Sequence, residues 1–244
     1  MKTIRICLWS GPRNISTAMM RSFENRADCE VWDEPFYGFY LDCTGLNHPG
    51  REAVLELWPT DPKKIAARCA GSAPEGSPLF FQKHMCQHML DEVDLTWTAR
   101  CRHIFLIRDP ADVAASFNAT MGEVRPEDLG AVRQHALYEV IAANTGKHWP
   151  VIEGADVLAD PRGMLTALCA ALDIPFDEAM LTWPEGRRAS DGPWAPHWYS
   201  RVEASTGFEA PAPSGHPRPA TLQGVIDACL PAYQTLKELK LTPA

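Results

Sequence analysis

Two arginines stand just past apolar runs in this chain, each followed by hydroxyls. The first run, Ile4-Arg5-Ile6-Cys7-Leu8-Trp9-Ser10, leads into Gly11-Pro12-Arg13-Asn14-Ile15, and Ser16 and Thr17 follow at once. The second, Ile104-Phe105-Leu106-Ile107, leads into Arg108-Asp109-Pro110, with Ser116 eight positions after the arginine. A strand that ends in a polar turn and enters a helix directs backbone N–H groups, and the positive end of that helix, at one spot. Guanidinium, hydroxyl and open N–H suit phosphate or sulfate oxygens. Asp109 fits an N-cap and Pro110 the first helical turn, so Arg108 leaves its strand at the carboxyl end. An ordinary strand-to-helix turn, with Arg108 paired to a carboxylate, would read the same way taken alone.

Acid–base candidates lie between these joints. Phe80-Phe81-Gln82-Lys83-His84-Met85 places Lys83 and His84 just past an apolar strand. His84 and His88 are four apart and can share a helix face as metal ligands, but no third ligand is evident. A histidine packing or capping at a helix start is the plainer alternative. Asp33-Glu34-Pro35-Phe36-Tyr37 follows another short strand. Glu34 suits either a base that binds a hydroxyl or amine, or a helix N-cap with Pro35 at the first helical position. Phe36, Tyr37, Phe39 and Tyr40 can wall a pocket or pack a core.

These residues need a frame. Short β-branched or aromatic runs at 3–9, 29–32, 79–82, 103–107 and 151–153 read as strands buried on both faces. Helical patterns at 16–26, 62–70, 85–93, 111–120, 126–145 and 161–172 separate them. The alternation predicts an α/β three-layer fold, a mostly parallel sheet with helices on both faces and its ligand at the carboxyl ends of the strands. One domain over 1–244 is expected. Residues 183–199, rich in Trp, Gly and Pro, and 205–219, rich in small residues and Pro, suggest a lid or mobile loop over about 183–220. A last helix over about 222–239 carries Val225, Ile226, Cys229, Leu230, Tyr233 and Leu236 at helical spacing.

Composition narrows the function. No run is long and apolar enough to span a bilayer, and none has signal-peptide form, so a cytoplasmic protein is expected. The eight cysteines are scattered without a Cys-x-x-Cys pair, which predicts reduced core thiols rather than disulfides or zinc. A net charge of −8 with no basic block argues against a nucleic-acid partner. An anionic small molecule is allowed, because a local ring of arginines outweighs a distant negative surface.

The first loop admits three readings. A nucleoside-triphosphate P-loop needs a second glycine and a lysine that are absent here, and Asp109, a candidate magnesium aspartate, follows an arginine. That leaves an ATP-dependent small-molecule kinase as an alternative. Cys7 and Arg13 match the C-x5-R spacing of cysteine phosphatases, but Cys7 lies inside the strand, where its thiol is hard to ionise. Third, Pro12-Arg13-Asn14-Ile15-Ser16-Thr17 resembles the first loop of the sulfotransferases, departing at Asn14 and Ile15. The segment Ile104–Phe117 resembles their 3′-phosphate motif, with Arg108 and Ser116 at the matching spacing. Gly186-Arg187-Arg188-Ala189-Ser190-Asp191-Gly192-Pro193-Trp194-Ala195-Pro196-His197-Trp198-Tyr199 is loosely similar to their late cofactor loop.

The resemblance implies a P-loop-type sulfotransferase fold and a donor, 3′-phosphoadenosine 5′-phosphosulfate (PAPS), whose phosphates at two ends need two anion sites. It implies Arg13, Asn14, Ser16 and Thr17 at the 5′-phosphosulfate, and Arg108 and Ser116 at the 3′-phosphate, with Arg187 or Arg188 covering the latter. It further implies His84 as base, Lys83 as a donor-side cation, Glu34 and Tyr37 toward a small-molecule acceptor, and no metal. A nucleotide-binding module without catalysis is the alternative outside enzymes. Acceptor identity and oligomeric state are not encoded in these motifs.

Overall fold

The computed structural model describes residues 3–210 and 216–244. Five strands, β1 (Ile4–Ser10), β2 (Cys29–Asp33), β3 (Leu79–Met85), β4 (Arg102–Ile107) and β5 (Val151–Glu153), form one sheet in the order β2-β3-β1-β4-β5. Every pairing is parallel. Alternate side chains of each strand therefore enter two different cores. Cys7, Trp9, Phe80 and Phe105 pack on one face with the helices Pro62–Cys69, Ala131–Thr145 and Gln223–Lys237. Ile6, Leu8, Phe81, Ile104 and Leu106 pack on the other with α1 (Ser16–Glu24) and the helix Pro161–Ala171. This is the expected three-layer α/β arrangement.

The two edges of the sheet differ in charge logic. At the amino edge, Arg5 donates to the Gly71 carbonyl at 2.6 Å and Arg102 to the carbonyls of Leu172 and Asp173. These carbonyls follow the helices Pro62–Cys69 and Pro161–Ala171, so the arginines there complement helix carboxyl ends. Arg13 and Arg108 lie past the opposite, carboxyl edge, where helices begin.

The structure corrects several element boundaries. β3 runs on through Lys83, His84 and Met85, and only a 3-10 turn, Cys86–His88, follows, so the expected helix over 85–93 does not form. The reason is lateral: Lys83 pairs in register with Asp33, and His84 with Trp9. The expected helix over 126–145 breaks at Gly130, whose φ of +74° ends one short helix and starts the next. The helix Arg51–Leu57 went unread, and α2 (Tyr37–Thr44) starts two residues later than the N-cap reading of Glu34 places it. Part of the expected lid, 211–215, lies outside the described residues, as do Met1 and Lys2. Of the rest, Trp194, Ala195 and Tyr199 form a small core with Tyr37, Leu41 and Val54, while residues 216–220 are exposed. All eight cysteines are free thiols, and only Cys43 is exposed. Among the described residues, no helix is long and apolar enough to cross a membrane.

Candidate active site

The loop after β1 is clamped from two sides. A Cβ on Gly11 would stand 2.6 Å from the Leu129 carbonyl oxygen, so only glycine fits without moving backbone. Asn14 fixes the far side: its amide donates to the Leu106 carbonyl of β4 at 3.2 Å, and its side-chain oxygen accepts from Ile15 N–H at 2.9 Å. Asn14 therefore shapes the loop with its own side chain rather than offering it to a ligand. Arg13, at the apex, takes a left-handed backbone with φ of +55°. A non-glycine residue held there is a strain that surrounding structure must enforce.

That geometry joins the two motifs. Arg13 Nε donates to Ser116 Oγ at 3.0 Å, and Arg108 Nη1 donates to the Arg13 carbonyl. Burial lowers the Arg13 pKa. Burial also lowers that of Arg108; repulsion from Arg13 and Arg201 adds to it, while Asp112 and Asp109 oppose. Among the described residues, neither guanidinium has a carboxylate within ion-pair distance. Asp109 caps its helix through Ala111 N–H at 2.8 Å. α1 begins beside them with Ser16 and Thr17, no side-chain cap and no acid in its first turn. Two half-buried cations, Arg108 only partly offset by Asp112 and Asp109, beside an uncapped helix start make a site for an anion.

The late basic pair divides. Arg187 is exposed and lies 3.7 Å from Glu203. Arg188 Nε and Nη2 are buried without a hydrogen-bond partner, the state of a group awaiting one. Besides Arg13, Arg201 adds positive field at Arg108, and sequence reasoning missed it. It stands in a short helix, Ser200–Glu203, 93 positions along the chain, and no local spacing points to it.

A second buried cluster closes the β2–β3 end. Lys83 Nζ donates to Asp33 at 2.8 Å, Glu34 at 2.5 Å and the Tyr199 hydroxyl at 2.7 Å. An ammonium has three N–H bonds, so all are committed. Burial alone would lower the Lys83 pKa, but Asp33 and Glu34 hold it well above its ordinary value. The expected role of Lys83 as a free donor-side cation does not suit this geometry: it is a neutralised strut. Tyr199 in turn donates to Asp33 at 2.6 Å, and Arg21 of α1 pairs with Asp191 at 2.7 Å with both side chains fully buried. The first contact ties the 186–199 segment to β2 and the second ties it to α1. An arginine inside the run Met19-Met20-Arg21-Ser22-Phe23 was the available signal for the second.

Glu34 sits in this cluster rather than at a cap. Its φ is +37°, α2 starts later with Phe36 as N-cap, and burial pushes the carboxyl up to about 7 against the pull of Lys83. Tyr37 is buried, its hydroxyl 2.8 Å from His48 Nδ1. His84 faces the other core. Its ring stacks on Trp9 at 4.5 Å, Nε2 meets Gln82 at 3.3 Å, and burial drives its pKa down to about 3. A ring that is 1% exposed and this hard to protonate makes a poor base, so the role expected of His84 is corrected to packing. His88 points elsewhere, between Tyr37 and Tyr40, which removes the paired-ligand reading. Among the described residues, no group of three metal-ligating side chains is present. Cys7 is also out of reach: it is fully buried in mid-strand, and burial raises its thiol pKa well above the ordinary value, which removes the phosphatase alternative.

Comparison with known proteins bears on this geometry. A family profile described as Sulfotransferase domain matches residues 4–240. Two curated Arabidopsis thaliana proteins, branched-chain-amino-acid aminotransferase-like proteins 2 and 1, are 32% and 33% identical over 94% of the chain. The chain spans only 40% and 41% of their lengths. Among solved structures, a sulfotransferase from Alicyclobacillus acidocaldarius superposes with a TM-score of 0.56 at 12% identity, covering 98% of this chain and 96% of that one. The sulfotransferase domain of the Synechococcus PCC 7002 olefin synthase gives 0.52 at 16%, covering 97% and 96%. At such identities these two support the fold alone.

Proposed function

From the premise that this chain belongs to the sulfotransferase domain family and is a sulfotransferase, we propose that its donor is PAPS and its acceptor a hydroxyl or amine of a small molecule. The observation that carries the donor reading is the pair Arg13 and Arg108: half-buried, joined through the Arg13 carbonyl, and without a close ion pair to a carboxylate among the described residues. The fit extends to the orphaned N–H groups of Arg188 and the field of Arg201. Arg13 and the start of α1 would hold the 5′-phosphosulfate. Arg108, with Arg201, would hold the 3′-phosphate. Ser116, by bonding Arg13, orients that guanidinium. When bound, PAPS supplies an activated sulfuryl group.

The residues of the chain do the remaining work by position and charge. Arg13 stabilises negative charge as it develops on the oxygen that leaves, in a site of low dielectric. Glu34, at the carboxyl end of β2, takes the acceptor proton; a carboxyl near pH 7 is matched to that task. Trp194 and Tyr199, packed over α2, wall the same edge. The test is calorimetric titration with 3′-phosphoadenosine 5′-phosphate (PAP) and with magnesium–ATP. Micromolar or tighter binding of PAP alone is expected, a free energy of about −8 kcal/mol or better. Tight magnesium–ATP binding without affinity for PAP would instead support the kinase reading.

A further inference from the structure

His88 has a buried ring nitrogen that nothing in the fold satisfies. Its Nδ1 is without a hydrogen-bond partner and lies 3.9 Å from Glu34 Oε2, too far for a direct bond. Neither side chain is placed to close that gap. Tyr37 stacks on the His88 ring at 4.6 Å and 4°, and Tyr40 stacks at 4.7 Å. Lys83 holds Glu34 by its other oxygen at 2.5 Å. The neighbouring Gln87 borders the anion loop: a Cβ on Gly130 would lie 3.4 Å from Gln87 Oε1 and 3.3 Å from Gly11 Cα. Glu34 and the anion loop leave the same carboxyl edge of the sheet, β2 and β1 lying on either side of β3.

We propose that His88 is a substrate-binding residue of the acceptor site, its Nδ1–H holding the oxygen of an acceptor hydroxyl while Glu34 Oε2 takes the proton of that hydroxyl. An oxygen about 2.8 Å from both atoms would see them roughly 90° apart, a workable angle for a hydroxyl that accepts one hydrogen bond and donates another. The clamp selects by chemistry. An ammonium has no lone pair for Nδ1–H, so the site favours alcohols over protonated amines. In the transfer, the acceptor oxygen forms its bond to sulfur as the bond from sulfur to the bridging phosphate oxygen breaks, and that electron pair stays with the phosphate. The proton passes to the Glu34 carboxylate, and His88 keeps its own. Burial, with His48, Lys83 and His84 adding, lowers the His88 pKa well below its ordinary value, which keeps the ring neutral with a single proton.

This inference rests on the reading of Glu34 as base with PAPS as donor. Its test uses water as the acceptor: sulfate release from PAPS by the full chain, alongside PAP affinity and the nitrogen-15 spectrum of the His88 ring. His88→Phe keeps the stacking and removes Nδ1; His88→Asn carries an N–H near the Nδ1 position, and His88→Gln one near Nε2. Release should fall about 10-fold or more in the Phe and Gln variants and stay within about 3-fold in Asn, the scale of a lost hydrogen bond to the reacting group. PAP affinity should hold in all three, and the wild-type spectrum should show a neutral ring protonated at Nδ1. Wild-type release in His88→Phe, an Nε2–H ring, or a PAP-binding wild type with no release above background would each overturn the clamp. Loss of PAP binding by the wild type, or full release in Glu34→Gln, would instead overturn the underlying function reading.

Discussion

Replacing Lys83 with methionine should unfold the balance of the β2–β3 end, and the penalty should depend on pH. Methionine keeps most of the apolar stem but removes three hydrogen bonds, to Asp33 at 2.8 Å, Glu34 at 2.5 Å and Tyr199 at 2.7 Å. Lys83 is 1% exposed, so its two carboxylate partners are left buried without their cation. Breaking a buried ion pair from one side costs about 3–5 kcal/mol. Glu34 can escape part of that cost by holding a proton, and its carboxyl already sits at about 7. Without the lysine it rises further, so the penalty grows by up to about 1.4 kcal/mol per pH unit above 7. For a chain of this size about 2 °C of melting temperature corresponds to 1 kcal/mol, giving a fall of roughly 6–10 °C. Calorimetric melting of both proteins at pH 6.5 and pH 8 measures it. A loss below about 1 kcal/mol at pH 8, or one that shrinks as pH rises, refutes the description of Lys83 as a strut between buried acids.

Three further outcomes can be checked with ordinary variants. Gly11→Ala drives a methyl into the Leu129 carbonyl at 2.6 Å, so the loop must shift, and PAP affinity should fall about 10-fold while the melting temperature moves only a few degrees. His84→Phe should keep turnover within about 3-fold, since the ring packs rather than titrates; a 100-fold loss would restore it as base. Turnover should rise with pH through about 7 as Glu34 ionises, and Glu34→Gln should abolish that limb. The same group acts on stability in the opposite sense. Its folded pKa lies above its ordinary value of 4.5, so its contribution is full below that pH and is lost as pH rises through about 7.

The sheet was legible because its strands are apolar on both faces, and both arginine joints could be read because each is written in a dozen consecutive residues. What escaped was lateral. Gln82, Lys83 and His84 look like the polar end of a strand, yet they stay in the sheet because Asp33 and Trp9 stand beside them in register. The alternation of that strand then sends Lys83 to one core and His84 to the other, so a base chosen by its nearness to Lys83 in sequence pointed the wrong way. His88 was weighed only as a metal ligand, because its partners Tyr37, Tyr40 and Glu34 belong to a helix and a strand end some fifty residues earlier. Arg201 and Tyr199 reach the site only through a segment whose composition read as a loop. Local sequence carries a strand's ending and a helix's start; it does not carry which charges meet across strands.

The claim on which the account turns is that Arg13 and Arg108 together hold one donor that is anionic at both ends. Titrating PAP into the wild type and into Arg108→Ala tests it most directly. The substitution should cost about 1.5–3 kcal/mol, a 10- to 150-fold weaker dissociation constant. Unchanged affinity in Arg108→Ala would contradict the shared anion site and with it the assignment of the donor.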